Sequence, residues 1–289
     1  MRSLWTVLMV VALALPVLAE DGPGWTFSER FQGSSNSSGL VMKEDSTLGY
    51  SFSKSFRTYV GVPFYFVKES STTSTTSTTQ TPNSFMNGLG NAYLGFHIGV
   101  DREAVNFGSN VEATAPTGDK DKGFSTGRAT VDWTNSFSHS FSSVTPFANI
   151  GLANTVSDTS FFVRPFTSLG LVTHFDGGAT FQLSRLVDVG ASAYGIRAAG
   201  QQRIISKTFK NQSTTSATAS PLNQGSGKNR PFDTSGETVG TADLTNDHGV
   251  STWLAAHAGS RMNFQAGYTR SAGYDLNTVF FGVGFHVGH

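Results

Sequence analysis

His174 and Asp176 stand two residues apart, a spacing that on an extended strand sets both side chains on one face about 7 Å from each other. An imidazole and a carboxylate so placed could share a metal ion or a proton, but either role needs further ligands, which the sequence does not place. His97 and His286 stand just as isolated. Arg128 and Asp132, four apart, would lie about 13 Å apart on a strand, too far to pair with one another. Ser138-His139-Ser140 is the one stretch with the look of nucleophilic chemistry, and it falls where a short turn is expected. No nucleophile elbow, glycine-rich phosphate loop or His-Glu zinc helix occurs. Neither catalysis, a metal nor a cofactor is therefore expected, and these polar residues are better read as the hydrophilic side of the elements that carry them.

Composition narrows what those elements can be. Of 289 residues only 14% are charged, 32 are glycine, 24 are phenylalanine and none is cysteine. Disulfides and thiolate sites are excluded. Twenty Lys and Arg balance twenty Asp and Glu, so the basic footprint of a nucleic-acid binder is missing and no nucleic-acid partner is expected. Glycine spread along the whole chain disfavours a helical protein, since each costs roughly 1 kcal/mol against alanine within a helix. Residues 1–19 carry Arg2, an apolar run from Leu4 to Leu15, Pro16, and the small residues Val17 and Ala19, which together predict a secretory signal peptide cleaved after Ala19. The predicted mature domain is 20–289, and it has no apolar run near the ~20 residues of a spanning helix.

What the mature chain does have is alternation. From Thr278 to His289, Val279, Phe281, Val283, Phe285 and Val287 alternate with Phe280, Gly282, Gly284, His286 and Gly288. Period-two alternation with large apolar groups on one face and small or polar groups on the other predicts a transmembrane barrel strand. Val60, Val62, Phe64 and Phe66 repeat the pattern, as do Ala92, Leu94, Phe96 and Ile98. Twelve strands are predicted, near 25–34, 41–53, 57–68, 88–100, 104–114, 122–134, 141–153, 166–184, 187–200, 249–259, 262–271 and 277–288. The longer connections, 69–87 and 201–248 above all, then share one end of the barrel, the asymmetry of short periplasmic turns against long external loops. Both of these segments are rich in Ser and Thr and read as solvated loops.

The expected fold is all-β, a transmembrane antiparallel up-and-down barrel of about twelve strands, on the order of 24 Å across at the backbone. A soluble lipocalin-like barrel would alternate too, with its apolar side inward; sparse charge within the strands favours the membrane version. Alternation assigns Asn91, Tyr93, His97, Arg128, Asp132, Asn149, His174, Asp176, Gln182, Gln265 and His286 to the lumen, and Trp25, Trp133, Trp253, Tyr268 and Phe281 to the outer face or interfacial girdle. The expected partners are outer-membrane lipid, small-molecule solutes, and the outer-membrane insertion machinery, which would read the amphipathic C-terminal strand.

The run Ala115 to Arg128, with Pro116, Thr117, Gly118 and Asp119 at its head, followed by Asp132-Trp133-Thr134, resembles the outer-membrane barrels grouped as the "meta-pathway of phenol degradation" family. The resemblance spans residues 85–289. It implies passage of small organic compounds, including aromatic ones. Independently of it, Pro116 and Gly118 are expected to shape an external turn that Asp119 to Lys122 keep hydrated. The functional expectation is a bacterial outer-membrane channel for passive passage of small molecules, with a closed structural or surface-binding barrel as the contrasting reading.

Overall fold

The computed structural model describes residues 23–36, 39–69, 85–156, 158, 162–207, 236–259 and 261–288. The predicted leader, residues 1–19, lies outside them. The strands are β1 (Gly24–Asn36), β2 (Gly39–Ser53), β3 (Phe56–Glu69), β4 (Phe85–Leu89), β5 (Tyr93–Val100), β6 (Asn106–Thr114) and β7 (Thr130–Ser138). They continue as β8 (Val144–Ala153), β9 (Phe166–Ser184), β10 (Val187–Ser206), β11 (Glu237–Thr241), β12 (Asp247–Ala258), β13 (Met262–Ser271) and β14 (Leu276–Gly288).

Every pairing is antiparallel, and β1 pairs β14 from Gly24↔Gly288 to Ser35↔Asn277, which closes the sheet on itself. β4 and β5 bond successive parts of the same edge of β3, and β11 and β12 do the same to β10. Each couple is thus one interrupted stave, and the wall is a closed barrel of twelve. Closure gives the wall a bonded neighbour on both sides of each stave except along β4 and β11, which pair on one side only, and such closure is the condition for crossing hydrocarbon with strands.

The exterior carries the large apolar side chains. Trp25, Phe27, Leu48, Val60, Phe96, Ile98, Val111, Trp133, Ile150, Phe175, Leu254 and Val279 are all exposed and all occupy the outward parity of their strands. A soluble protein does not leave such a belt in water, so the apolar side faces out and the fold is a transmembrane β-barrel. Inside, the small residues of the alternation make room for flat rings: Tyr93 lies over Gly61, Tyr59 over Gly95, His174 over Gly151 and Trp253 over Gly190.

Three predicted boundaries moved. The strand expected at 122–134 is β7, Thr130–Ser138, because the Ser125 hydroxyl accepts the Gly127 N–H and Thr126 Oγ1 accepts the Arg128 N–H. Gly127 then takes φ +70°, and this turn keeps residues 125–128 out of the ladder. The expected loop 201–248 is shorter than its composition suggests. β10 runs on to Ser206 and pairs β11, while Gln202, Ile204, Ser206 and Lys207 are buried; residues 208–235 lie outside the described part. Likewise β3 reaches Glu69 and β4 begins at Phe85, leaving 70–84 outside it.

Candidate functional site

Alternation gives each strand one inward row, and the inward rows divide the lumen into two arcs. On β12, β13, β14 and β1 a row of inward side chains is sealed: Ser251, Thr269, Thr278 and Ser34 are each 1% exposed and Gln32 is fully buried, while Arg30, Trp253 and His257 on the same strands are half-buried. Short hydroxyl bridges tie this arc together, Ser251 to Thr269 at 2.9 Å and Ser34 to Thr278 at 2.6 Å. From β5 round to β10 the inward row is half-buried instead: Tyr93, His97, Asn110, Glu112, Asp132, Asn149, His174, Asp176 and Asp188 all keep contact with solvent.

The half-buried arc is acidic and its acids are oriented by neighbours. Asp132 on β7 meets His174 Nε2 on β9 at 3.1 Å and accepts Thr134 Oγ1 at 2.8 Å. Asp176 accepts the Asn149 amide at 3.1 Å. Asp188 on β10 meets His257 Nε2 on β12 at 2.9 Å. Glu112 accepts Tyr59 Oη at 3.0 Å. The two His–Asp couples leave the same opening to water, with 27% and 28% of the imidazole and 16% of each carboxylate exposed. Asn149 and Trp253 stand at two sides of the lower lumen, where Phe147 and Trp253 approach to 6.1 Å between ring centroids.

The inward bases lie elsewhere. Lys43 on β2 pairs Asp45 at 2.9 Å, Arg30 on β1 stands directly opposite Asp45, and Arg57 is on β3. Tyr93 donates to Asp45 at 2.8 Å and meets Thr47 at 2.7 Å, fixing the border between the two charge signs.

Above these rows, the connection between β8 and β9 enters the barrel. Val156, Phe162, Val163 and Arg164 are buried, and the Val163 N–H donates to Ser34 Oγ on β1 at 3.3 Å. Asp158 ties this segment down: it accepts Tyr65 Oη at 2.7 Å and the Arg164 N–H at 2.8 Å, with Lys207 Nζ at 3.9 Å. Burial pushes the Asp158 carboxyl up, but Lys207, Lys43 and the Arg164 N–H outweigh it and hold the group below its ordinary value. Burial drives the Lys207 ammonium down to about 8, against the pull of Asp158. Lys207 Nζ also donates to the carbonyls of Arg164 and Phe166, both at 3.1 Å. The mouth at this end of the barrel is therefore narrowed by a segment held through a buried charge.

Most of the side chains assigned to the lumen from alternation do occupy the inward face: Tyr93, His97, Asp132, Asn149, His174, Asp176, Gln265 and His286. Gln182 has inward parity but sits exposed at the short-turn end of β9. Two belong elsewhere. Arg128 is an exposed loop residue, because the Gly127 turn ends before β7 starts. Asn91 lies in the break between β4 and β5, where its Oδ1 accepts the Gly118 N–H at 3.2 Å.

The same break explains the Pro116 to Asp119 turn. Thr117 Oγ1 accepts the Ala92 N–H at 2.8 Å and donates to the Gly90 carbonyl at 3.1 Å, so the turn clamps the interrupted stave. A side chain on Gly118 would meet the Phe124 carbonyl and the Gly90 backbone. Asp119 Oδ1 accepts the N–H groups of Asp121 and Lys122 at 2.9 and 3.2 Å. Among the aromatics expected outside, Trp25, Trp133 and Tyr268 are exposed there and Phe281 has outward parity, whereas Trp253 points inward. Ser138-His139-Ser140 falls at the short-turn end, with Ser140 Oγ against Thr145 Oγ1 at 3.1 Å and the His139 ring against Phe141. Among the described residues no group of three His, Asp or Glu could hold a metal ion.

No family model and no curated protein matches the sequence. Solved structures do match the fold. The COG4313 outer membrane channel from Pseudomonas putida F1 is 11% identical, with a TM-score of 0.60 over 95% of this chain and 99% of that one. The NanC porin is 9% identical, with a TM-score of 0.51 over 90% and 100% of the two chains. At these identities the likeness is one of fold, a barrel that this chain shares with outer-membrane channels and porins.

Proposed function

We propose that the chain is a bacterial outer-membrane channel for the passive passage of small molecules, with small hydrophobic or aromatic compounds among its solutes. The observation that carries this reading is the hydrated polar row from Tyr93 to Asp188 inside a barrel whose exterior is apolar. A polar inner wall in a closed barrel is the arrangement that lets solute cross hydrocarbon without meeting it. The barrel likeness to an outer-membrane channel and a porin supports the location and the class. The resemblance of Ala115 to Arg128 to the phenol meta-pathway barrels supports the aromatic part of the solute range, and no family match adds to it. In this reading residues 1–19 direct export, and the alternating β14 addresses the chain to the insertion machinery.

A second reading, a closed structural or surface-binding barrel, is favoured by one specific feature: Val156, Phe162, Val163 and Arg164 of the β8–β9 connection are buried within the barrel, with Val163 bonded to Ser34 on the sealed arc. Purified protein in a planar lipid bilayer separates the two. The channel reading expects discrete conductance steps in symmetric KCl; a flat trace at the bilayer's own leak contradicts it. Swelling of proteoliposomes in sugars, amino acids and simple phenols then ranks the solutes.

A further inference from the structure

The charges on the inner wall are sorted by strand. Among the described inward positions the bases are Arg30, Lys43 and Arg57, on β1, β2 and β3, while the half-buried acids Glu112, Asp132, Asp176 and Asp188 lie on β6, β7, β9 and β10. Two more inward acids, Asp45 on β2 and Asp247 on β12, are buried. Lys43 keeps 8% of its side chain exposed and is paired with Asp45, whereas the half-buried carboxylates stand on the hydrated arc. Two further charges, Arg164 in the segment that narrows the mouth and Lys207 just after β10, are buried and do not reach the water.

From this we infer that the passage is cation-preferring, and that Glu112, Asp132, Asp176 and Asp188 set the preference against two half-buried bases, Arg30 on β1 and Arg57 on β3. The four acids are spread over four strands, so they act as wall charge along the route and not as one binding site. Charged side chains of one sign lining a narrow route with low-dielectric walls concentrate the opposite ion and exclude their own. The solutes favoured are small cations, such as amines in their protonated form, over carboxylates of equal size. The inference rests on the channel reading, and it names that channel's selectivity.

The test is the reversal potential of the wild-type protein in a planar bilayer with a KCl gradient. A potential showing several-fold preference for potassium over chloride is expected. Asp132→Asn with Asp176→Asn should bring it toward the non-selective value, and Arg57→Gln should push it further toward potassium. Glu44→Gln, on the outward parity of β2, should leave it unchanged and serves as the control. Because the wild-type value decides the matter, a variant that fails to fold does not remove the test, and Glu112→Gln gives a second independent neutralisation. Current with no preference, or with preference for chloride, overturns the inference and leaves the channel reading standing; absence of current overturns both.

Discussion

The sealed and the hydrated arcs of the lumen are built from the same pattern and differ in what their inward rows carry. On the sealed side, β14 and β13 offer Gly282, Gly284 and Gly267 beside Thr278, Thr269 and Phe280, small and hydroxyl groups that satisfy each other at 2.6 to 2.9 Å. On the hydrated side, Asp132, Asp176 and Asp188 are met by His174, Asn149 and His257 and stay half-exposed. A carboxylate resists removal from water unless its neighbours hold it: Asp247 on β12 is buried with the Tyr194 and Ser271 hydroxyls donating to it, whereas the carboxylates of the other arc stay half-exposed. The difference teaches that the route through a barrel depends on how the inward charges are held, and that alternation alone does not decide it.

The inserted segment is where that contrast is easiest to break. Asp158→Ala leaves Lys207 buried without its carboxylate, a change that costs about 3–5 kcal/mol for a buried pair. The expected result is release of Phe162, Val163 and Arg164 from the mouth, read as a higher single-channel conductance together with a lower thermal unfolding midpoint. Next in size, Phe175→Arg puts a charge on the outer face midway along β9 and should cost ~2–4 kcal/mol; the unfolding free energy in urea checks it, and Asp176→Asn, one residue away on the inner face, should cost much less. Gly118→Ala forces the turn away from Gly90 and Phe124 and is expected to cost roughly 1–3 kcal/mol, measured in the same titration and accompanied by loosened amide protection at residues 90–92.

The smallest effect is that of pH. Because the Asp158 carboxyl is held below its ordinary value, its contribution is fully present above about pH 4 and is lost as pH falls through the lower folded value. Lys207, held at about 8, has a lowered pKa as well: the folded state releases that proton first, so stability rises with pH from about 8 toward the ordinary lysine range. The unfolding midpoint should therefore be flat from about pH 5 to 7, fall in acid and rise modestly in base.

Much of this was legible from residue types alone. The Val279 to Val287 alternation marks β14, and parity places Tyr93, His97, Asp132, His174 and Asp176 inside. What a single strand cannot show is its neighbour. Trp253 turns inward because register sets it over Gly190, a glycine 63 residues away in sequence. His257 and Asp188 meet across β12 and β10, and neither stands out until the strands are paired. Arg128 left the wall because the Ser125 and Thr126 side chains compete with the ladder for backbone groups. The Asp158 and Lys207 pair depends on where two connections travel, and no periodicity records that.

The chain has no cysteine of its own, so single cysteines can report each face without background. The most direct measurement is the labelling rate of Asp176→Cys, Phe175→Cys and Ser251→Cys by a membrane-impermeant thiol reagent in proteoliposomes. Rapid labelling at 176 with protection at 175 and 251 is the predicted pattern: water on one arc, hydrocarbon outside, packing on the other arc. Equal labelling at 176 and 251 would contradict the divided lumen, and labelling at 175 faster than at 176 would contradict the direction of the barrel wall itself.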